Sequence, residues 1–262
     1  MISVVINTFN AEKHLEEVLE SVKEFDEIIL CDMYSTDRTI DIAQKYNCTI
    51  IYHEYTGYVE PARQYAVQAA KGEWIFIVDA DEVVPKDLRK YLYEQIKQKD
   101  CPDGIKIPRK NYFMGRFMRC TYPDYILRFF RKEKTTCPPE IHRQPKVSGK
   151  IGKVPASNKS LAFIHLANDS VKTILNKANN YTEYELDKRE KGKYGLFSLL
   201  NGTIFRFFKL YILKGAILDG KAGLAYAGLF AFYKYITIAK IWEKRIQYQD
   251  LKEDKRNTIQ HL

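Results

Sequence analysis

One stretch decides the fold of this chain: Gly72-Glu73-Trp74-Ile75-Phe76-Ile77-Val78-Asp79-Ala80-Asp81-Glu82. Its apolar run, Trp74–Val78, is uninterrupted and rich in β-branched and aromatic residues, which is typical of a strand buried on both faces of a parallel sheet. Three acids follow within the next four residues. Because open α/β folds bind ligands at the carboxyl edge of their sheet, these carboxylates lie where a ligand is expected.

Asp79 and Asp81 stand one residue apart at the end of this strand. Such a pair suits a divalent cation, since Mg²⁺ and Mn²⁺ use few protein carboxylates and take their other ligands from water and phosphate. The alternative is a solvated acidic turn that opens the helix after Pro85, where acids favour the positive helix terminus. The stretch alone leaves both interpretations open.

Bulk composition places the chain among globular proteins with an anionic partner. Its 262 residues are long enough for one substantial core and an appended subdomain. A formal net charge of +9 indicates a nucleotide, membrane-surface or nucleic-acid partner, or matters for solubility alone. Five scattered cysteines without a CxxC pair favour a reduced, cytoplasmic compartment and argue against a zinc site. The chain enters a strand at Ile2, so we expect no signal peptide.

The first half alternates predicted strands, at residues 2–6, 27–31, 49–52 and 74–78, with helical segments. This βαβ alternation predicts a mostly parallel sheet flanked by helices. Asn10, which we expect to cap the next helix, then lies with Asp32 and Asp79 at one edge of the sheet. Such a crevice suits a nucleotide. The sequence contains neither a GxGxxG nor a GxxxxGK[ST] motif.

The second half begins with a predicted helix over residues 85–97 and strands over 104–108 and 126–130. The residues between these strands, among them Arg109 and Arg116, are predicted to form a basic, aromatic loop, whose composition favours a phosphorylated or sugar-rich ligand; the alternative is an ordinary connecting loop. We expect two domains, a catalytic domain over residues 1–170 and a helical region over 171–262.

Three motifs carry a resemblance to a known family: Thr8–Glu12, Cys31–Thr39 and Asp79–Glu82. Together they resemble the inverting family 2 glycosyltransferases of GT-A fold, closest to the bacterial glucosyltransferases of lipopolysaccharide core synthesis. Met33 departs from the family pattern, which usually has a small residue there. The resemblance extends over nearly the whole chain, because further matching segments lie at residues 123–125, 128–131, 141–142, 164–165 and 211–220.

The resemblance implies how a donor would be held. The nucleotide-sugar site would comprise Thr8, Phe9, Asn10, Glu12, Asp32, Arg63, Asp79, Ala80 and Asp81. Within it, Asp32 would read uracil, and Asp81 with Asp79 would hold Mg²⁺ or Mn²⁺. Arg63 would face the diphosphate, although it could instead be a helix-surface charge.

Inversion requires a base that takes the proton of the attacking hydroxyl. The resemblance points to Asp124, with Glu140 and His142 in reserve; the alternative for Asp124 is a turn residue after Pro123. His142 and His165 could each reach the diphosphate or the metal, or be structural. The His-Glu pair usual in the family is His142-Arg143 here.

Aromatic, apolar and basic residues crowd together between residues 196 and 242. The run Ala222–Tyr233 is apolar all round, but it is shorter than the roughly 20 residues that a membrane span requires. This composition predicts helices lying in the membrane interface, with a core helical hairpin as the alternative.

The leading hypothesis is a metal-assisted hexosyltransferase on the cytoplasmic membrane face, without a nucleic-acid partner. It would move a sugar from a nucleotide-sugar, UDP-hexose in particular, to a cell-envelope glycan or lipid-linked acceptor, with inversion. A nucleotidyltransferase would carry a glycine-rich basic signature after the first strand, and Asn7–Glu12 has none. A basic membrane- or RNA-binding protein would leave the three aspartates at one edge unexplained.

Overall fold

The computed structural model describes residues 1–140, 143–166, 170–189 and 192–260. They form two compact units. The first contains Met1–Tyr112 and Tyr122–Ala167, and the second contains Phe113–Thr121 and Asn168–Leu262. The division into domains at residue 170 remains a prediction. In the structure, Phe113–Thr121 packs with the C-terminal helices and belongs to the second unit.

The described residues contain twelve strands and seven α-helices. The strands are β1 (Ile2–Thr8), β2 (Glu27–Asp32), β3 (Thr49–Tyr52), β4 (Trp74–Ile77), β5 (Glu82–Val83), β6 (Gly104–Phe113), β7 (Arg116–Phe117), β8 (Asp124–Arg131), β9 (Thr135–Thr136), β10 (Lys146–Val147), β11 (Ile151–Lys153) and β12 (Phe163–His165). The helices are α1 (Leu15–Val22), α2 (Thr39–Ala43), α3 (Glu60–Ala69), α4 (Lys86–Gln95), α5 (Val171–Arg189), α6 (Leu196–Phe208) and α7 (Gly220–Gln260).

The strands of the main sheet follow the order β3-β2-β1-β4-β8-β6-β12-β5. β3, β2, β1 and β4 are parallel, as the βαβ alternation predicts. β8 lies antiparallel to both β4 and β6, and β5 lies antiparallel to β12. The sheet is therefore parallel in its first half and mixed in its second.

Strand β4 lies at the centre of this sheet, and all four of its residues are buried. On one face, α1 and α4 pack through apolar side chains such as Leu19 and Leu88. On the other face α3 packs through Ala62 and Ala66. Burial on both faces explains the uninterrupted apolar run, and it fixes the position of the acids that follow β4.

Two local expectations are wrong. Asn10 does not cap α1, which begins at Leu15; its Oδ1 instead accepts a hydrogen bond from the Thr36 amide at 2.8 Å. The supposed loop after Pro108 is the second half of β6, and Arg109 pairs in register with Asp124 on β8. The charge of Arg109, which led us to predict a loop, is matched by this cross-strand partner.

The C-terminal apolar segment is longer than expected. α7 continues beyond Tyr233 to Gln260, since lysine is a good helix former and does not end a helix. Lys240 Nζ donates to the carbonyl of Asn179 at 3.1 Å and to its Oδ1 at 2.8 Å, so α7 is bonded to α5. Leu196–Leu213 and Ala216–Tyr248 are each long and apolar enough, by length and composition, to cross a membrane. By length and composition the apolar segment is therefore not too short to cross a membrane, which corrects the expectation drawn from Ala222–Tyr233.

Candidate active site

The loops after β1 and β2 are joined by a buried carboxylate. Asp32 is fully buried, and its Oδ1 accepts hydrogen bonds from Thr8 Oγ1 at 2.8 Å and Ser35 Oγ at 2.6 Å. Its Oδ2 accepts from the Ser35 amide at 2.8 Å. Asp32 therefore positions both loops, and the assignment of uracil recognition to it remains a prediction.

Asn10 and Glu12, in the loop after β1, contact the loop after β2, and Phe9 contacts Tyr55 after β3. Glu12 Oε2 accepts from Arg38 Nε at 3.2 Å, which adds to the contact between Asn10 and Thr36. The rings of Phe9 and Tyr55 stack with centroids 3.7 Å apart and planes 9° from parallel. An aromatic pair of this kind offers a flat surface on which a nucleobase can stack.

The acids after β4 lie among three arginines. Asp79 Oδ1 pairs with Arg63 Nη2 at 3.5 Å, and Asp79 Oδ2 pairs with Arg128 Nη2. Glu82 is fully buried, and its Oε1 accepts a hydrogen bond from Arg109 Nη1 at 3.2 Å. Glu82 Oε2 also accepts from the Asp79 amide at 3.1 Å, so the two acids are fixed relative to each other.

The two carboxylates differ in how their pKa values are shifted. Burial alone would raise the pKa of Asp79, but Arg128 and Arg63 together lower it to about 2. The pKa of Glu82 is raised, because burial outweighs the attraction of Arg128 and because the Asp79 charge lies beside it. The site therefore keeps Asp79 ionised at neutral pH.

Arg63 and Arg128 each retain a buried Nε atom without a hydrogen-bond partner among the described atoms. Buried donors are normally paired, so an acceptor oxygen that enters the site would satisfy them. Both residues are less than a tenth exposed, which makes Arg63 a buried cation beside Asp79 rather than a helix-surface charge.

Asp81 points to a different set of partners from Asp79. Its side chain is 32% exposed, and its Oδ1 lies 3.7 Å from His165 Nε2. His165 Nδ1 lies 2.6 Å from Asn111 Oδ1, and this contact requires Nδ1 to carry the proton. In the neutral ring, Nε2 then presents its lone pair, as it does in metal-bound histidines. Ala80, between the two aspartates, is partly buried against the core.

These residues fit a weakly chelated divalent cation. Within the described ranges, no group of three or more His, Cys, Asp or Glu side chains is arranged to hold a metal ion. Mg²⁺ and Mn²⁺ do not require such a group, because water and substrate phosphate complete their coordination. Asp81 and His165 are the better-placed donors, since both oxygens of Asp79 face arginines.

Asp124 is the first residue of β8 and is not a turn residue. Its Oδ2 accepts hydrogen bonds from Arg109 Nε at 2.9 Å, Arg109 Nη2 at 2.7 Å and Asn111 Nδ2 at 3.2 Å. Its side chain is 34% exposed, so an acceptor can reach it. Arg109 joins Asp124 to Glu82, and Asn111 joins it to His165, so the site is one connected network.

Four residues of this network were not assigned a role from the sequence: Glu82, Arg109, Asn111 and Arg128. Arg109 and Asn111 are two positions apart on β6 and therefore project from the same face, a signal that the loop interpretation concealed. Of the two reserve bases, Glu140 is exposed, and His142 lies outside the described residues.

The fold is an α/β sheet with acids and arginines clustered at the carboxyl edge of its parallel strands, and sequence comparison identifies the family. Residues 3–146 match the family described as "Glycosyl transferase family 2". The chain belongs to this family and is a glycosyltransferase. The match confirms the predicted enzyme class, and the structure itself shows the predicted α/β fold with C-terminal helices.

Two bacterial relatives match along nearly their whole length. The chain is 28% identical over 257 residues to the lipopolysaccharide core biosynthesis glycosyltransferase LpsC of Rhizobium meliloti, covering 93% of this chain and 92% of the relative. It is 27% identical over 268 residues to an uncharacterized glycosyltransferase of Rickettsia felis, covering 95% and 92%. Among solved structures, S. aureus TarS 1–349 in complex with UDP has a TM-score of 0.48 and 18% identity, covering 93% of this chain and 91% of that one.

Proposed function

We propose that this glycosyltransferase moves a hexose from a UDP-hexose to a cell-envelope glycan or lipid-linked acceptor, with inversion and assisted by Mg²⁺ or Mn²⁺. The observation that carries the proposal is the network in which Arg63, Arg109 and Arg128 surround the acids after β4. The similarity to an enzyme named for lipopolysaccharide core biosynthesis supports an envelope acceptor.

The donor's diphosphate is matched by the buried arginines. Negative charge develops on the UDP leaving group as the glycosidic bond breaks, and fixed cations stabilise that charge. Arg63 and Arg128 both pair with Asp79, which fixes their geometry and keeps two cations beside the proposed diphosphate site. Phe9 and Tyr55 provide the surface on which the uracil ring stacks.

Asp81, with His165 beside it, would hold the metal ion on the diphosphate, and Asp79 would act mainly by positioning Arg63 and Arg128. When bound, such an ion adds positive charge to the leaving group. The protein's own contribution is to orient His165, since Asn111 fixes its Nδ1 and turns Nε2 towards Asp81.

Asp124 would be the base for the acceptor hydroxyl. Its three hydrogen bonds from Arg109 and Asn111 all reach Oδ2, so Oδ1 is the atom that would take the proton. In a direct displacement, the acceptor oxygen bonds to the anomeric carbon while the bond to UDP breaks, and the hydroxyl proton moves to Asp124.

We also propose that the enzyme acts on the cytoplasmic face of the membrane as a peripheral protein. α6 exposes a set of large apolar side chains: Leu196, Phe197, Leu200, Ile204, Phe205 and Phe208. Arg206 and Lys209 lie among them and are exposed as well, which suits a helix at the interface with anionic lipids. The bonds from Lys240 to Asn179 tie α7 to α5 and favour association over spanning.

Thermal shift with nucleotides tests the donor assignment. We expect UDP with Mn²⁺ to raise the melting temperature, because a ligand at 100 times its Kd adds about 2.7 kcal/mol of stability. GDP with Mn²⁺ and a short RNA serve as matched controls and should produce smaller shifts. Stabilisation by RNA without any response to UDP would overturn the proposal.

A further inference from the structure

The C-terminal unit contains an open cavity of about 450 Å³ lined by Met114, Arg116, Lys221 and Ala222. Arg116 and Lys221 are both exposed cations, and none of the four lining residues is acidic. The proposed donor and catalytic residues belong to the other unit, so they do not account for this cavity. Two cations beside apolar side chains suit a ligand that combines an anionic group with hydrocarbon.

Met114 occupies an unusual position at the edge of this cavity. It forms, with Gly115, the turn between β6 and β7, and the two residues have φ values of 50° and 70°. Two-residue hairpins with positive φ at both positions strongly favour Asn-Gly or Asp-Gly. A methionine in this conformation is uncommon, and its side chain is 48% exposed. The turn therefore leaves the apolar side chain of Met114 half exposed at the surface.

The cavity walls are fixed to each other. Asp219 is buried and accepts hydrogen bonds from the amides of Arg119 and Cys120, both at 3.1 Å. Gly223 lies so close to the turn before α7 that a Cβ atom there would be 1.8 Å from the Ala216 carbonyl oxygen. The hairpin that carries Met114 and Arg116 is thus built onto the start of α7, which carries Lys221.

Exposed apolar side chains continue from the cavity along the chain. Leu213, Ile217 and Leu218, just before α7, are 76%, 53% and 70% exposed. Lys214 lies among them and is also exposed. Apolar residues interleaved with lysines are typical of protein surfaces that enter the interface of an anionic membrane.

We propose that this cavity binds the phosphate group of a membrane lipid, with Arg116 and Lys221 on the phosphate and Met114, Ile217 and Leu218 among the acyl chains. This inference rests on the proposed transfer to a lipid-linked acceptor and makes it more specific. The hairpin begins two residues after Asn111, and the short helical turn Arg119–Thr121 leads from it to Asp124. Lipid binding there would hold the segment that joins two site residues at the membrane, as a lipid-borne acceptor sugar requires.

Vesicle flotation with matched lipids tests the site. Three vesicle types are compared: phosphatidylcholine alone, phosphatidylcholine with phosphatidic acid, and phosphatidylcholine with oleic acid. The last two are prepared with equal surface charge. We expect the wild type to prefer phosphatidic acid. Arg116→Glu with Lys221→Glu should weaken that binding by at least about 30-fold, since each lost cation contributes about 1 kcal/mol near an anionic surface and the two added carboxylates repel it. Met114→Asn, which suits the turn better, should also weaken it without loss of stability.

The matched control is Lys97→Glu with Lys99→Glu, the same charge change on exposed lysines of the first unit, which should keep the preference. Equal binding to phosphatidic acid and oleic acid, or equal loss in the control, would overturn the phosphate site. Stabilisation by inorganic phosphate without vesicles would identify a soluble ligand instead. UDP binding is measured in parallel: its absence in the wild type would refute the proposed function, whereas its presence with unchanged lipid binding in the variants refutes only this inference.

Discussion

Replacement of Asp124 by Asn should lower turnover by about 10²–10⁴-fold, the usual range for loss of a general base, and leave UDP affinity unchanged. Asn keeps the size of the side chain and an oxygen for Arg109, but it cannot take the proton of the acceptor hydroxyl. Since Asp124 acts only when the acceptor attacks, the effect should fall on kcat. Steady-state kinetics and a UDP titration on the same preparation separate the two quantities.

Glu140→Gln is the matched control for this variant, because Glu140 is an exposed acid and the reserve candidate for the base. It should retain full turnover. If Asp124→Asn instead keeps its turnover and loses only thermal stability, Asp124 is structural. Loss of turnover in Glu140→Gln would then transfer the role of base to Glu140.

Replacement of Asp81 by Asn should abolish transfer and remove the part of UDP binding that depends on Mn²⁺. A carboxylate is a far better ligand for Mg²⁺ or Mn²⁺ than an amide, and the neighbouring His165, 3.7 Å from Asp81, supplies a single nitrogen donor. Calorimetric titration of UDP with and without Mn²⁺ measures the change directly.

Asp87→Asn provides the control, since Asp87 is an exposed acid in the first turn of α4. It should bind UDP with the same dependence on Mn²⁺ as the wild type. Full activity of Asp81→Asn, or full activity of the wild type in excess chelator, would contradict the assignment of the metal.

The part of the site that follows from the sequence is the part set by local patterns. An apolar run that ends in carboxylates predicts a buried strand with acids at the sheet edge, and β4 with Asp79 and Asp81 has this form. The βαβ alternation likewise brings Thr8 opposite Asp32, as the register of β1 and β2 shows. Both inferences follow from the apolar run and from the order of strands and helices, without knowledge of which side chains pair.

The rest of the site depends on partners that are distant in the chain. Arg109 looks like a loop residue until Asp124, fifteen residues later, is placed across from it on β8. Glu82 looks like one more exposed acid, but Arg109 and Arg128 allow it to be fully buried. A charge predicts exposure only where no opposite charge is brought to it by the fold.

The length of α7 was misjudged for the same reason. Lys234 ends the apolar run at Tyr233, yet in the structure its Nζ lies 5.4 Å from the centre of the Tyr194 ring, and Lys240 further on donates to Asn179 on α5, 61 residues earlier in the chain. Polar residues that are paired between helices do not end a helix. Periodicity along one segment therefore gave too short an apolar helix.

The release of UDP from a panel of UDP-hexoses, with Mn²⁺ and with or without an extract of bacterial envelope lipids, tests the central claim most directly. We expect at least one UDP-hexose to be consumed, chelation of Mn²⁺ to stop the reaction, and the lipid extract to accelerate it. If the folded protein with Mn²⁺ and the extract releases UDP from none of them, the assignment of a UDP-hexose donor is contradicted.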